Sequence, residues 1–303
     1  MGIGRRRPHQ LPAERAGDRA AGRGARLASP VRQGSDATLR GKACGRICGG
    51  RGLMPLSGTR DVTPILPQTA IMPGFDTEAL MLEGVSILQV LYEIRQNAML
   101  SLLPPALHPT IPPTIAFVVT DVPQSPFGPF TFAEARVGCR AGARPRGFVA
   151  RCYVSTETAA EALRTRWGYP AHLADVRLKK GYDRISGTVS EAGKLVLSAS
   201  LVNPEAISGG DIQYLPAVNL ARVKRDGEAI PRIVQVDPDF RMHRADRGKP
   251  HLECFDAAAW LLDGADPWWP VSASCAVADM ELPVLRYILD PFKPAIQGVE
   301  RVH

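Results

Sequence analysis

The sequence predicts an α+β fold rich in antiparallel strands and barrel-like in character, formed as one domain with a few short helices. Three observations support this prediction. Many β-rich segments alternate with turns, only two or three segments have helical character, and no internal repeat divides the chain. With 45% hydrophobic and 22% charged residues, the chain also has enough apolar side chains to bury a core.

The first 53 residues differ from the rest of the chain in charge. They hold 12 Lys and Arg against 3 Asp and Glu, which leaves 25 basic and 27 acidic residues for 54–303. The segment has no apolar periodicity, so it cannot bury enough surface to offset the entropy of ordering it. We therefore predict a disordered basic extension over 1–53, followed by one domain over 54–303. Met54 is an alternative start, in which case the extension is not translated.

Composition excludes several classes of function. The nearly neutral body has no basic face, so we predict no nucleic-acid partner. No apolar run approaches the roughly 20 residues of a membrane helix, so we predict no membrane partner. Among the six cysteines only Cys44 and Cys48 lie close together, without a second pair or a His cluster. The sequence therefore predicts no metal and no cofactor, and scattered thiols indicate a reducing, cytoplasmic location.

Apolar runs and Pro or Gly breakers define the elements of the first half. Two prolines, Pro104 and Pro105, end a short helix, and the run at 114–120 is apolar on both faces and therefore central. The predicted elements are a strand at 85–93, a helix at 97–103, a strand at 114–120, and paired strands at 130–137 and 147–154.

The best local signal follows these strands. Thr158 and Glu161 have the spacing of a capping box, in which hydroxyl and carboxylate each bind a free backbone amide. The helix that they would open reaches Trp167, Gly168 would end it, and Pro170 prevents its continuation. The chain therefore reverses at 167–172, in a short loop of the kind that often holds reactive side chains.

The second half again alternates strands and turns. Predicted strands lie at 174–178, 185–189, 194–201, 212–223, 230–236 and 275–285, with a short helix at 255–262. No Gly-rich phosphate loop, nucleophile elbow or zinc-protease motif is present, so no nucleotide or hydrolase chemistry is indicated.

The segment EALRTRWGYP that ends at Pro170, followed by LADVRL at 173–178, resembles the core signature of the acetoacetate decarboxylase family. There an Arg-containing helix ends in an aromatic-Pro-Lys-Lys turn before a short strand. The resemblance covers residues 75–292. Further similar pieces stand in the same order at 102–107 (LLPPAL), 125–130 (SPFGPF), 254–259 (CFDAAA) and 278–283 (ADMELP).

The resemblance implies a cone-shaped, barrel-rich fold with a buried, largely apolar pocket, usually in a homo-oligomer. It also implies a Lys-Lys pair whose first amine forms an imine with a β-keto acid. In this sequence Ala171 and His172 stand at those two positions, so we identify a divergent member that lacks the Schiff-base lysine. Lys179 and Lys180 follow only after the next predicted strand.

The resemblance also implies candidate site residues. A pocket Glu of the family falls at Phe132 or Glu134, while the family's pocket Arg falls near Val85, where no Arg is in reach. His172 could act as an acid/base because imidazole titrates near neutrality, or it could be a solvent-facing loop residue. We predict His172 and Glu134 as the catalytic pair.

Arg164 could hold a substrate carboxylate through its planar guanidinium, or it could form a rim salt bridge with Glu161 or Glu157. Together these residues predict a lyase-like, cyclase or hydratase enzyme of secondary metabolism that acts on a small oxo-acid or polyketide-like carbonyl compound. Alternatives are a non-catalytic small-molecule-binding protein and a decarboxylase that uses Lys179 or Lys180. The other predicted substrate-binding residues are Tyr169, Phe130, Phe132, Tyr214 and Gln213.

Overall fold

The computed structural model describes residues 56–75, 78–142 and 144–302, and the predicted extension 1–53 and the alternative start lie outside them. The helices are α1 (Gln96–Leu102), α2 (Glu157–Trp167) and α3 (Ala295–Gly298). The strands are β1 (Ala70–Met72), β2 (Leu80–Glu93), β3 (His108–Pro109), β4 (Thr114–Val122), β5 (Phe130–Arg140), β6 (Pro145–Val154), β7 (Ala171–Leu173), β8 (Asp175–Lys180), β9 (Arg184–Glu191), β10 (Lys194–Ile207), β11 (Ala217–Arg225), β12 (Glu228–Val236), β13 (Asp239–Phe255), β14 (Trp269–Leu282), β15 (Tyr287–Leu289) and β16 (Val299–Arg301).

All these strands belong to one sheet, which confirms the predicted strand-rich α+β class. Its order is β16-β15-β12-β11-β6-β5-β4-β2-β14-β13-β10-β9-β8, with β1 beside β11, β3 beside β5 and β7 beside β6. Most neighbours are antiparallel, while the pairs β1–β11, β6–β11 and β6–β7 are parallel. The hydrogen-bonded path ends at β8 and at β16, so the sheet does not close into the predicted barrel.

The central strand β4 separates two hydrophobic cores. Phe117 belongs to the first core, which also contains Tyr153 and Trp260. Its neighbour Val118 belongs to the second core, which also contains Trp167. Strand alternation explains this division, because successive side chains point to opposite faces of a sheet. The apolar run at 114–120 therefore lies on a strand that is buried on both faces, as the sequence predicts.

Helix α2 is present, but it starts earlier than the sequence predicts. Thr156 is the N-cap and makes no side-chain capping bond, and Thr158 lies inside the helix. The predicted capping box of Thr158 and Glu161 is therefore wrong, and the Glu161 carboxylate instead contacts Arg164 at 3.3 Å. The C-terminal prediction is right: Gly168 adopts a left-handed backbone with φ of 66°, and its N–H donates to the carbonyl of Leu163.

Gly168→Ala is expected to destabilise the protein through both backbone and packing. The left-handed conformation costs a non-glycine residue about 1–2 kcal/mol. A Cβ at this position would also lie 2.8 Å from Met72 Sδ and 3.0 Å from Ala221 Cβ, a crowding that typically adds about 1–3 kcal/mol. Gly193→Ala is the matched control, because Gly193 has φ of 81° and open space around it. Urea unfolding should give the larger loss for Gly168→Ala, and equal losses would contradict the packing argument.

Two predictions in the second half are wrong. The helix predicted at 255–262 is absent, because Phe255 is the last residue of β13 and turns follow it, and the strand predicted at 212–223 begins only at Ala217. The sequence also gives no sign of β13, whose side chains are mostly exposed or half-buried and often charged. Such a strand lacks the apolar alternation by which strands are found. Among the described residues, no helix has the length and apolar character needed to cross a membrane.

Candidate functional site

A row of directly opposite residues crosses five neighbouring strands and forms the floor of the candidate site. Pairing joins Gln89 on β2 to Val118 on β4, and Val118 to Glu134 on β5. It continues from Glu134 to Cys152 on β6 and from Cys152 to Ala171 on β7. Because opposite residues point to the same face of a sheet, these five side chains share one side. Ala171 is 3% exposed and lies beside Cys152 in the buried second core.

An ion pair between Glu134 and Arg136 is buried in this floor. Arg136 Nη2 contacts Glu134 Oε2, and the two side chains are 7% and 0% exposed. Arg136 Nη1 also donates to the carbonyl of Leu215. Burial alone would lower the pKa of Arg136, but Glu134 together with the nearby Tyr169 and Cys152 raises it overall. The Arg136 guanidinium therefore stays charged although it is buried.

Two polar atoms of this pair have no hydrogen-bond partner. Glu134 Oε1 and Arg136 Nε are both buried and unbonded. Buried polar atoms are normally bonded, and an unpaired one costs about 1–3 kcal/mol. An acceptor and a donor left free on adjacent side chains are suited to a small polar ligand.

Aromatic side chains enclose the pair. Phe132 packs edge-on against Tyr169 with 6.2 Å between ring centroids, and it stacks on Phe130 at 5.9 Å. Burial, followed by the nearby Glu134 charge, raises the pKa of Tyr169 well above its usual value. The same two causes raise the pKa of the Cys152 thiol. Both groups are therefore neutral at physiological pH, and the thiol is a poor nucleophile.

The loop before β11 links this interior to a cleft of about 320 Å³. Gln213 and Leu215 line the cleft from the loop, and Gln89 lines it from β2. Gln89 Nε2 donates to the carbonyl of Gln213 at 3.1 Å, while the Tyr214 hydroxyl donates to the carbonyl of Ile87 at 3.2 Å. Leu215 both lines the cleft and accepts from Arg136, so it connects the cleft to the ion pair.

His172 lies on the opposite face of the same strands. Its partner on β6 is Tyr153, a residue of the first core, whereas Ala171 is opposite Cys152. The His172 side chain therefore points away from the face that carries Glu134, and His172 lines a surface groove with Arg164. The pKa of His172 is lowered by burial and by the charges of Arg151 and Arg164.

Arg164 forms salt bridges with two carboxylates of its own helix, which is the second of the two predicted roles. Its Nη1 contacts Glu157 at 2.7 Å and Glu161 at 3.3 Å, and its Nε donates to the carbonyl of Ala171. Arg164 therefore binds strand β7 and the carboxylates of helix α2 rather than the Glu134–Arg136 pair.

The lysines of the described residues are all exposed. One of them, Lys180, reaches a buried partner: its Nζ donates to Ser86 Oγ at 2.5 Å. Lys180 also lines a cavity of about 320 Å³ with Arg244 and Cys275, away from the Glu134 floor. Over the part of the chain that is described, no group of three His, Cys, Asp or Glu side chains is arranged to hold a metal ion.

Sequence reasoning missed Arg136. Its signal was present, because Glu134 and Arg136 stand two residues apart in an otherwise apolar strand and must share a face. A charged pair with this spacing in a buried strand predicts a buried ion pair. The predicted residues Glu134, Tyr169, Phe130 and Phe132 do come together around it.

Comparison with known proteins agrees with the resemblance. The family model described as acetoacetate decarboxylase matches residues 63–285. A structure of acetoacetate decarboxylase superposes with a TM-score of 0.61 and 21% identity, covering 70% of this chain and 89% of the other. The enzyme from Legionella pneumophila gives a TM-score of 0.62 and 18% identity, covering 69% and 86%. Curated protein sequences give no match.

An enzyme of enduracididine biosynthesis, MppR, has the same fold. Its complex with the condensation product of pyruvate and imidazole 4-carboxaldehyde superposes with a TM-score of 0.56 and 16% identity, covering 69% of this chain and 87% of the other. At these identities the solved structures establish a common fold.

Proposed function

Because the chain belongs to the acetoacetate decarboxylase family, we propose that it is an enzyme that acts on a small oxo-acid or related carbonyl compound at Glu134 and Arg136, without a lysine imine. The single observation that carries this proposal is the buried ion pair with one free acceptor and one free donor. The relatives support the substrate class, since one is a decarboxylase of acetoacetate and another is complexed with a pyruvate condensation product.

The proposed roles follow from charge and position. Glu134 Oε1 removes a proton from the carbon beside the substrate carbonyl, and the electron pair moves to the carbonyl oxygen. Arg136 Nε donates to that oxygen and stabilises its negative charge. A donor that is held in place in a site without water stabilises such a charge strongly. The enolate then regains a proton, loses a leaving group or closes a ring, so lyase, hydratase and cyclase reactions share this first step.

The absence of an imine is part of the proposal. Ala171 supplies a methyl group where the family has its nucleophilic amine, and every lysine of the described residues is exposed. The Cys152 thiol beside it does not replace the amine, because burial and Glu134 keep it protonated. Acid/base chemistry is what the remaining groups support.

The test is solvent deuterium exchange into pyruvate and acetoacetate, followed by proton NMR. We expect exchange with the wild-type protein and a loss of about 10²–10⁴-fold in Glu134→Gln, the usual contribution of a general base. Glu300→Gln is the matched control, because Glu300 also pairs with an arginine, Arg225, but on the surface. Exchange that is equal in wild type and Glu134→Gln would contradict the proposal.

A binding protein without catalysis is the second candidate. The ion pair favours this candidate, because Glu134 and Arg136 already bind each other and neither needs a substrate charge to balance its own. Ligand binding seen by calorimetry, with no exchange in any tested carbonyl compound, would support this candidate.

A decarboxylase with a relocated lysine is the third candidate, and the contact of Lys180 with buried Ser86 favours it. Borohydride reduction with acetoacetate, followed by peptide mass spectrometry, would find an adduct on Lys180 in that case. The same experiment gives no adduct if the chemistry proceeds at Glu134.

We also propose a cytoplasmic homo-oligomer in secondary metabolism. The free thiols at Cys139, Cys152, Cys254 and Cys275 are typical of a reducing compartment. The exposed pair Trp268 and Trp269 offers apolar surface for a second copy. Light scattering gives the oligomeric state directly.

A further inference from the structure

A second cavity lies beside strand β7, and neither Glu134 nor Arg136 lines it. It is a groove of about 400 Å³ between helix α2, strand β7, strand β11 and the segment 67–71. We call it the β7 groove. Its polar lining consists of Gln68, Thr69, Glu161, Arg164, Thr165, His172 and Arg222.

The charges of this groove are not balanced. Arg164 is neutralised by Glu157 and Glu161. Arg222 has no carboxylate within 4.0 Å among the residues that the structure describes, and it touches only the carbonyls of Pro67 and Thr69, both at 3.4 Å. A guanidinium without a counter-ion at the wall of a cavity favours an anionic ligand.

The free donor of Arg222 is also identifiable. Its Nε is buried and has no hydrogen-bond partner. Buried N–H groups are normally paired, so this atom has the unsatisfied bonding capacity that a ligand oxygen would fill. The Thr69 hydroxyl already donates to the carbonyl of Leu66, and the Thr165 hydroxyl donates to the carbonyl of Glu161. Arg222 therefore has a free donor, whereas the two threonine hydroxyls of the groove already donate elsewhere.

We propose that the β7 groove binds a small oxyanion, a phosphate or carboxylate group, through the Arg222 guanidinium with His172 as a second contact. This site is separate from Glu134 and does not depend on the proposed function, because neither Glu134 nor Arg136 belongs to the lining of the groove. A planar guanidinium presents paired N–H groups that match the oxygens of either group.

His172 reports on the charge in this groove. The groups that act on its imidazole are Arg151 and Arg164, which lower its pKa together with burial, and Glu191 and the Gln68 backbone, which raise it. A bound anion adds a negative charge near the ring and favours the protonated form. Oxyanion binding should therefore raise the pKa of His172.

The test is an NMR titration of the imidazole resonances with inorganic phosphate in one arm and acetate in the other. His172→Gln assigns the His172 signal among the six histidines of the chain. In the wild-type protein we expect a saturable upward shift of the His172 pKa by at least one of the two anions. The arm that saturates at the lower concentration identifies the preferred oxyanion.

Variants of Arg222 then test whether the anion binds in the β7 groove. Arg222→Gln should weaken the response at least tenfold, and Arg222→Lys, which keeps the charge without the fork, should weaken it less. Arg232→Gln is the matched control, since Arg232 lies on the adjacent strand, opposite Ala221, and outside the groove lining. Thermal melts check that each variant is folded.

Two results would overturn the proposal. One is a His172 shift that rises without saturation, which is a salt effect only. The other is a saturable shift that is unchanged in folded Arg222→Gln. Glu134→Gln should keep the shift of the His172 pKa that phosphate or acetate causes. Loss of deuterium exchange in this variant and loss of anion binding in Arg222→Gln can therefore be told apart.

Discussion

Glu134→Leu is expected to lower the free energy of unfolding by about 3–5 kcal/mol, because it leaves Arg136 buried and without a counter-charge. Arg136 has a 7% exposed side chain, so water cannot replace the lost carboxylate. Globular domains are stable by about 5–15 kcal/mol in total, so this loss removes a large part of the folding stability. Urea unfolding followed by tryptophan fluorescence measures the change.

The double variant Glu134→Leu/Arg136→Leu tests the cause of that loss. Removing both charges eliminates the uncompensated guanidinium, and replacing a buried pair by apolar side chains is often neutral or stabilising. We expect the double variant to recover most of the stability lost in Glu134→Leu. Glu300→Leu is the surface control, and loss of its exposed pair with Arg225 should have a small effect. A double variant as unstable as the single variant would show that packing, rather than charge, explains the loss.

This stability argument bears on function. If apolar residues can replace Glu134 and Arg136 at little cost to folding, the pair is not needed to hold the fold together. A buried charge pair is costly to desolvate and commonly belongs to a functional site. A stable double variant that has lost deuterium exchange would therefore separate the role of the pair in chemistry from any role in folding.

The turn at the end of helix α2 was predictable because its signals are local. Gly168 ends the helix through its left-handed backbone, and Pro170 prevents its continuation. Strand β4 was also predictable, since only a strand buried on both faces is apolar at successive positions.

The relation between His172 and Glu134 was not predictable from the sequence. Whether they meet depends on the pairing of β7 with β6, and a shift of one residue would exchange the faces of Ala171 and His172. Nothing in the three-residue strand β7 specifies this register by itself. Arg222 could not be found for the same reason, because β1, α2 and β11 form its groove only after the chain has folded.

The start of helix α2 and the whole of strand β13 show a different limit of prediction from sequence. Thr158 and Glu161 have capping-box spacing, yet the backbone becomes helical already at Glu157. Strand β13 is long because pairing with β10 on one side and β14 on the other holds its backbone. Such pairing does not require apolar side chains, so hydrophobic patterning misses it.

Trp167→Ala is expected to cost about 3–5 kcal/mol, the usual loss for a large buried aromatic side chain. Trp167 is fully buried in the second core, and its Nε1 donates to the carbonyl of Pro283 at 2.9 Å. Its own carbonyl accepts from Asn219 Nδ2 at 3.1 Å. The carbonyl of Trp167 therefore fixes the end of helix α2 against strand β11, and its side chain fixes it against the C-terminal segment, directly before Gly168 and Tyr169.

The matched control is Trp268→Ala, the same truncation at a side chain that is 53% exposed. It should change stability much less, because little apolar surface is removed from a packed environment. Thermal and urea unfolding of both variants measure the difference. If Trp167→Ala keeps a folded population, the deuterium exchange that this variant catalyses should also fall. Tyr169 and Ala171 come directly after helix α2 in the chain, and Trp167 anchors the end of that helix. Full exchange activity in a strongly destabilised Trp167→Ala protein would mean that the Glu134 floor is held by the strands alone, and that helix α2 contributes to folding without positioning the site.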